Sequence, residues 1–296
     1  ARADRSPGEF YQLDFEMSFA TQEDVFRAGE EVLTATFNKF APEGASVTQA
    51  PFPIISYKQA MLEFGCDKPD LRNPLRIMDV TEFFQKCTFK PFLKRTVRAI
   101  KVHAEMSKGF HEKLLSFAQS IGMGGLGYLE IADDMSYKGP IDKFIPDEYK
   151  AELAGIAGLV PGDTIFFIAD KEERANLYAG QLRNELGKRL DLYEKNAFRF
   201  CFVNDFPMFE YDNEEKKIVF THNPFSMPQG GLDALNNKNP LDILAYQYDI
   251  VCNGIELSSG AVRNHDLDIM VKAFEIAGYT EEDLKTKFGA LYNAFQ

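Results

Sequence analysis

At 296 residues, 45% of them hydrophobic, the chain is long enough for two ordinary domains, each with its own core. A net charge of −12 argues against a surface that coats nucleic acid, because phosphate contacts need clustered Lys and Arg. No run of about 18 apolar residues occurs, so no membrane span is expected, and the opening ARADRSPGEF has neither the apolar stretch of a signal peptide nor an initiator Met.

That opening reads as the inside of a longer protein. Within it, 2–8 is a charged loop with Pro and Gly turn chemistry, and 9–19 (EFYQLDFEMSF) alternates as a strand would. Phe10, Gln12, Asp14 and Glu16 then share one largely polar face, the mark of a polar cavity on an otherwise buried sheet. Thr21 is expected to cap a helix to about Phe40, with Val25, Val32 and Phe40 on its apolar face. Ser56 and Gln59 suggest a capping box for a short helix stopping at Gly65, before a dense charged turn at 67–72.

From about Met78 to Ala197 the texture changes. Strands are expected at 97–102, 128–131 and 164–169, and a helix carries Phe110, Leu114, Phe117 and Ile121. Asp170 is expected to cap a second helix with the stripe Leu182, Leu186 and Leu190. These elements are self-sufficient, so 78–197 is read as an inserted α+β domain between 1–77 and 198–296. The basic run 90–101 is open between a strand with a solvated face and a patch for an RNA backbone. After Phe198, strands are expected at 198–203, 218–221 and 249–256, and two helices follow, at 267–277 and after Thr280.

The four cysteines, Cys66, Cys87, Cys201 and Cys252, lie too far apart for zinc-type spacing, and reduced thiols in a cytoplasmic protein are expected. The run from Gly122 to Gly127 satisfies G-x-G-x-x-G, but a helix precedes it and a strand follows. Its amides therefore cannot face a pyrophosphate as the dinucleotide fingerprint demands. More informative is the segment 249–263. Asp249 and Glu256 are seven apart and face opposite sides of a strand unless a bulge, plausible at Gly254, intervenes. Ser258, Ser259 and Gly260 leave room for a ligand, and Arg263 can grip a carboxylate bidentately. His222 and Asn223 sit in a loop stiffened by Pro224. Taken alone, these residues reach an acidic cavity with a carboxylate-binding Arg, suited to an amino acid, or a strand ending in a charged turn.

The segment 2–19 resembles the second half of motif 2 of the class II aminoacyl-tRNA synthetases, in their bacterial aspartyl form. GCDKPDLR at 65–72, NDFP at 204–207, THNPF at 221–225 and NGIELSSGAVR at 253–263 resemble the same family in the same order. The resemblance implies an antiparallel sheet flanked by helices, an α/β fold with the smaller α+β domain inserted. It implies that Phe10 stacks on adenine, that Gln12 and Asp14 hold the substrate ammonium, and that His222 closes over the substrate. Arg263 would clamp the aspartate side chain, with Asp249 a candidate for orienting it, and Glu256 would place ATP and its Mg2+. No residue would act as a covalent nucleophile. Arg263 suits an acidic side chain and would repel lysine.

The partners implied are L-aspartate, ATP and tRNA in a homodimeric cytoplasmic ligase, with no membrane or DNA. Motif 1, the start of motif 2 and motif 3 of the family have no counterpart in the chain, so it is expected to be inactive alone. The insert also resembles a domain in a subunit of tRNA-dependent amidotransferases. That leaves two other readings, a tRNA-binding module and a non-catalytic paralogue; Arg263, Glu256 and Asp14 speak for the pocket that a module would not need.

Overall fold

The computed structural model describes Glu9 and residues 11–296. The chain divides into two compact units: one made by the chain up to Lys58 together with Asn196–Gln296, the other by Gln59–Lys195. The stretch 78–197 read from the sequence overlaps the second unit, which also takes in 59–77. Architecture is mixed α/β, with several sheets flanked by helices.

In the first unit a four-stranded sheet runs in the order Ile255–Ala261, Gln247–Cys252, Phe200–Asn204, Ile54–Ser56. The expected antiparallel pairing holds except at the last pair, which is parallel. Helix Gln22–Phe40 covers one face, and its start obeys the sequence. The Thr21 hydroxyl accepts from the Asp24 amide and the Asp24 carboxylate accepts from the Thr21 amide, a reciprocal cap.

The buried face of that helix is only partly the one expected: Val25 packs against the core, and Val32 is half-buried. Phe40 is exposed, whereas Phe26 stacks on Phe202 with ring centroids 3.9 Å apart, and Leu33 and Phe37 join the same cluster. Glu30 lies buried on this face because its carboxylate accepts the Phe52 amide at 2.7 Å. Apolar periodicity cannot count a glutamate as core. At the other end, helices Leu267–Ile276, Glu281–Lys287 and Gly289–Ala294 surround Met270, Phe274 and Tyr292.

The strand expected over 9–19 is not formed among its described residues, and Tyr11, Leu13, Phe15, Met17 and Phe19 are exposed. Alternation alone does not make a strand; the ladder does, and no described strand pairs with this segment.

The second unit is a five-stranded antiparallel sheet, in the order Ile77–Asp79, Thr96–His103, Asp163–Asp170, Gly127–Ile131, Tyr137–Lys138. Alternation along its central strands builds two cores. Val97, Ala99, Ile165 and Phe167 point one way, against Phe84, Leu153 and Ala157; Ile100, Val102, Phe166 and Ile168 point the other, against Leu114, Leu182 and Leu186. The Gly122–Gly127 run joins helix Lys108–Ser120 to the strand at Gly127, the order that excludes a dinucleotide fingerprint. Helix Glu172–Arg189 starts one residue later than the sequence suggested, with Lys171 at its cap. Asp170 belongs to the strand, and its carboxylate accepts the Lys171 amide.

Arg98, in the basic run 90–101, is buried rather than solvated. It binds Asp79 at 2.6 Å, Glu172 at 3.4 Å and Asn176 at 2.8 Å. An RNA-facing patch there would have to do without it. Burial pushes the Cys66 and Cys87 thiols up, consistent with inert, reduced cysteines.

One close approach pins the end of helix Tyr57–Phe64 to helix Glu172–Arg189. Gly65 has φ of +71°, and a Cβ on Gly180 would sit 2.8 Å from the Gly65 carbonyl oxygen. Helix propensity alone favours Gly180→Ala by up to ~1 kcal/mol. The backbone clash reverses the sign, and we expect a net loss of about 2 kcal/mol in a urea melt. A stabilised variant would show that the two backbones do not meet so closely.

Candidate substrate site

The segment 249–256, expected as one strand, is a hairpin. Asn253 and Gly254 both have positive φ, at +53° and +82°, the backbone that a two-residue hairpin turn requires. Asn-Gly between apolar runs is a strong hairpin signal, and the sequence carried it. Asn253 adds two bonds of its own: its side chain accepts from the Arg199 amide and donates to the Ala197 carbonyl, each at 2.9 Å.

The bulge is present but not at Gly254. Register runs Ile250↔Ser258 and then Val251↔Glu256, so Leu257 is the extra residue. Facing pairs share a side of a sheet. The bulge thus sets Glu256 on the side of Val251 and Asp249, with Ser259 and Ala261. This is the face opposite the one covered by Phe26. Asp249 is buried there and Glu256 is exposed. Packing across the ladder requires the glycine at 260, where a Cβ would lie 2.2 Å from the Tyr248 hydroxyl. The room at Gly260 is filled by Tyr248, whereas Ser258 and Ser259 stay open to solvent.

Arg263 follows two residues after the strand, exposed, and its Nη2 donates to Glu16 Oε1 at 3.0 Å. Glu16 belongs to the segment bearing Gln12 and Asp14, which bond each other at 3.3 Å and are both exposed. Phe10 lies outside the described residues. His222 is exposed in its loop, its ring 5.2 Å edge-on from Phe206.

Three ties hold the His222 loop to the chain around Arg263. Ser226 bridges Arg263, the Asn264 amide donates to the Phe225 carbonyl at 2.7 Å, and the Met227 amide donates to Val262 at 2.8 Å. Arg263, the His222 loop and the Gln12–Glu16 segment are thereby gathered at one end of the sheet. Two residues went without a role in the sequence reading. Glu16 was visible as one of the polar alternating positions; Asp205, at φ +55°, holds Gln229 at 2.6 Å and gave no signal beyond its place in NDFP.

The whole chain, residues 1–296, matches the family model of the class II tRNA synthetases (D, K and N). The chain belongs to this family. Its relatives include an aspartate–tRNA(Asp/Asn) ligase of Ehrlichia chaffeensis, 56% identical over 303 residues, which cover all of this chain and 51% of that protein. The corresponding ligase of Zymomonas mobilis is 54% identical over 303 residues, covering all of this chain and 50% of that protein. The chain thus spans about half the length of the curated relatives it matches. A solved aspartyl tRNA synthetase from Entamoeba histolytica aligns at a TM-score of 0.24 and 16% identity, over 68% of this chain and 36% of that one. Among the described residues, no helix is long and apolar enough to cross a membrane.

Proposed function

We propose that the full-length protein is an aspartate–tRNA ligase and that this chain supplies much of its aspartate site. The observation that carries this is Arg263. An exposed guanidinium at the end of the hairpin already engages a carboxylate, beside Gln12 and Asp14 and tied to the His222 loop. It agrees with the family and with the names of the relatives.

In the first step the α-carboxylate of aspartate attacks the α-phosphate of ATP, giving aspartyl-adenylate and pyrophosphate. In the second, a terminal ribose hydroxyl of tRNA attacks the carbonyl and releases AMP. The protein contributes placement and charge rather than a nucleophile. Arg263 fixes the side-chain carboxylate, Gln12 and Asp14 receive the ammonium, His222 closes the site, and Asp249 supports Arg263 from the sheet. Phe10 stacks on adenine.

Glu256 is the candidate ligand for Mg2+. Among the described residues, no group of three or more His, Cys, Asp or Glu gathers into a metal cage. One exposed carboxylate nonetheless suits an ion that is held mainly by nucleotide phosphates. The relatives' names extend the tRNA substrates to those for asparagine as well as aspartate. A cytoplasmic homodimer with 78–197 as an inserted domain completes the proposal.

The test is pyrophosphate exchange into ATP by the full-length protein, with aspartate, asparagine and lysine supplied separately. Exchange is expected with aspartate only. Silence with all three amino acids, from a folded protein, would remove the ligase assignment.

A further inference from the structure

We propose that Glu16 is a positioning residue for the aspartate side chain, acting through Arg263; the proposal rests on the ligase function above. The geometry is a single contact, from Arg263 Nη2 to Glu16 Oε1 at 3.0 Å. Arginine has five N–H donors in a rigid fork, so one monodentate partner does not exhaust it. Enough of the fork remains to take a second carboxylate. By accepting from Nη2, Glu16 narrows the directions open to a long side chain, and less rotamer freedom is then lost when aspartate binds.

Two opposing effects have to be weighed. A carboxylate beside Arg263 also repels the incoming substrate carboxylate. Here both partners are well exposed, with the side chains 52% and 79% accessible, so water screens that repulsion strongly. Orientation is not screened, and it decides the sign. The same exposure means that the pair adds little to folding. Substitution at Glu16 can therefore be read in kinetics rather than in lost structure.

Glu16 also stands two residues after Asp14, which accepts from Gln12. One short segment would thus serve both ends of the amino acid: Gln12 and Asp14 the ammonium, and Glu16, at one remove, the side chain. A substrate shorter or longer than aspartate cannot satisfy both ends together.

The experiment measures steady-state exchange by the full-length protein and its Glu16→Gln and Glu16→Ala variants, titrating aspartate and ATP separately. In Glu16→Ala the KM for aspartate should rise about tenfold, with kcat and the KM for ATP within about twofold of wild type. Glu16→Gln should show a smaller rise, because the amide oxygen still accepts the hydrogen bond without the charge. A purely structural role would instead move the ATP KM, kcat and thermal midpoint together, and that pattern would overturn the proposal. So would an unchanged or lowered aspartate KM in Glu16→Ala, the latter making Glu16 a competitor. If wild-type protein shows no aspartate-dependent exchange, the ligase function itself fails, and this proposal fails with it.

Discussion

In the full-length protein, Arg263→Lys should lower kcat/KM for aspartate in pyrophosphate exchange by about a thousandfold, roughly 4 kcal/mol of lost transition-state binding. Charge is preserved by this substitution, so simple attraction is not what disappears. Lysine offers a compact ammonium in place of a planar fork, and it cannot hold a substrate carboxylate bidentately while a second carboxylate occupies its flank. Its shorter reach also costs the 3.0 Å contact with Glu16. Discrimination should fall along with rate. A point charge distinguishes aspartate from asparagine by electrostatics alone, whereas the fork also reads the geometry of two equivalent oxygens. The decisive comparison is the ratio of kcat/KM for aspartate to that for asparagine, in wild type and variant. A variant within about tenfold of wild type, with the ratio intact, would mean that Arg263 does not touch the side chain.

Much of the fold was legible in the sequence, and the exceptions have physical causes. The Thr21 and Thr280 caps could be read directly, since a capping box is a local exchange between residues three apart. The strands at 96–103 and 163–170 were legible because both of their faces are buried and their apolar runs are dense. What escaped was non-local. Whether 9–19 forms a strand depends on a ladder partner that no alternation specifies. Burial of Glu30 depends on the Phe52 amide, 22 residues on, and burial of Arg98 on Asp79, Glu172 and Asn176. The displaced bulge is a related case. Gly254 was a sensible place for it, but the Asn253–Gly254 pair was needed for the turn, and the extra residue fell at Leu257. That shift sets Glu256 on the side of Asp249, a relation that spacing of seven along a single strand could not give. Family resemblance offered Asp249 as the residue that orients Arg263; the fold also put Glu16 beside it.

Arg183→Met should destabilise the unit formed by Gln59–Lys195 by about 3–5 kcal/mol, the usual cost of breaking a buried polar anchor. Arg183 is only 1% exposed on helix Glu172–Arg189. Its Nε donates to the Leu75 carbonyl at 2.7 Å, and its Nη2 to those of Asn73 at 2.8 Å and Asp70 at 3.0 Å. Asn73, itself fully buried, returns the grip by donating to the Arg183 carbonyl at 3.0 Å. The charged turn at 67–72, which no core element could explain, is thus held onto the helix by a buried cation. Methionine keeps the length and apolar stem but leaves those carbonyls without a donor, each worth about 1–3 kcal/mol when buried. Burial pushes the guanidinium down from its ordinary value to about 10, so it is still a cation at neutral pH. A base whose folded pKa is depressed binds fewer protons folded than unfolded between those two values. Wild-type stability relative to the variant should therefore stay flat below about pH 9 and grow only as pH climbs past 10. Urea melts of both proteins across that range would measure the gap. A difference under about 1 kcal/mol at neutral pH would place Arg183 among tolerated surface charges and leave the turn to some other anchor.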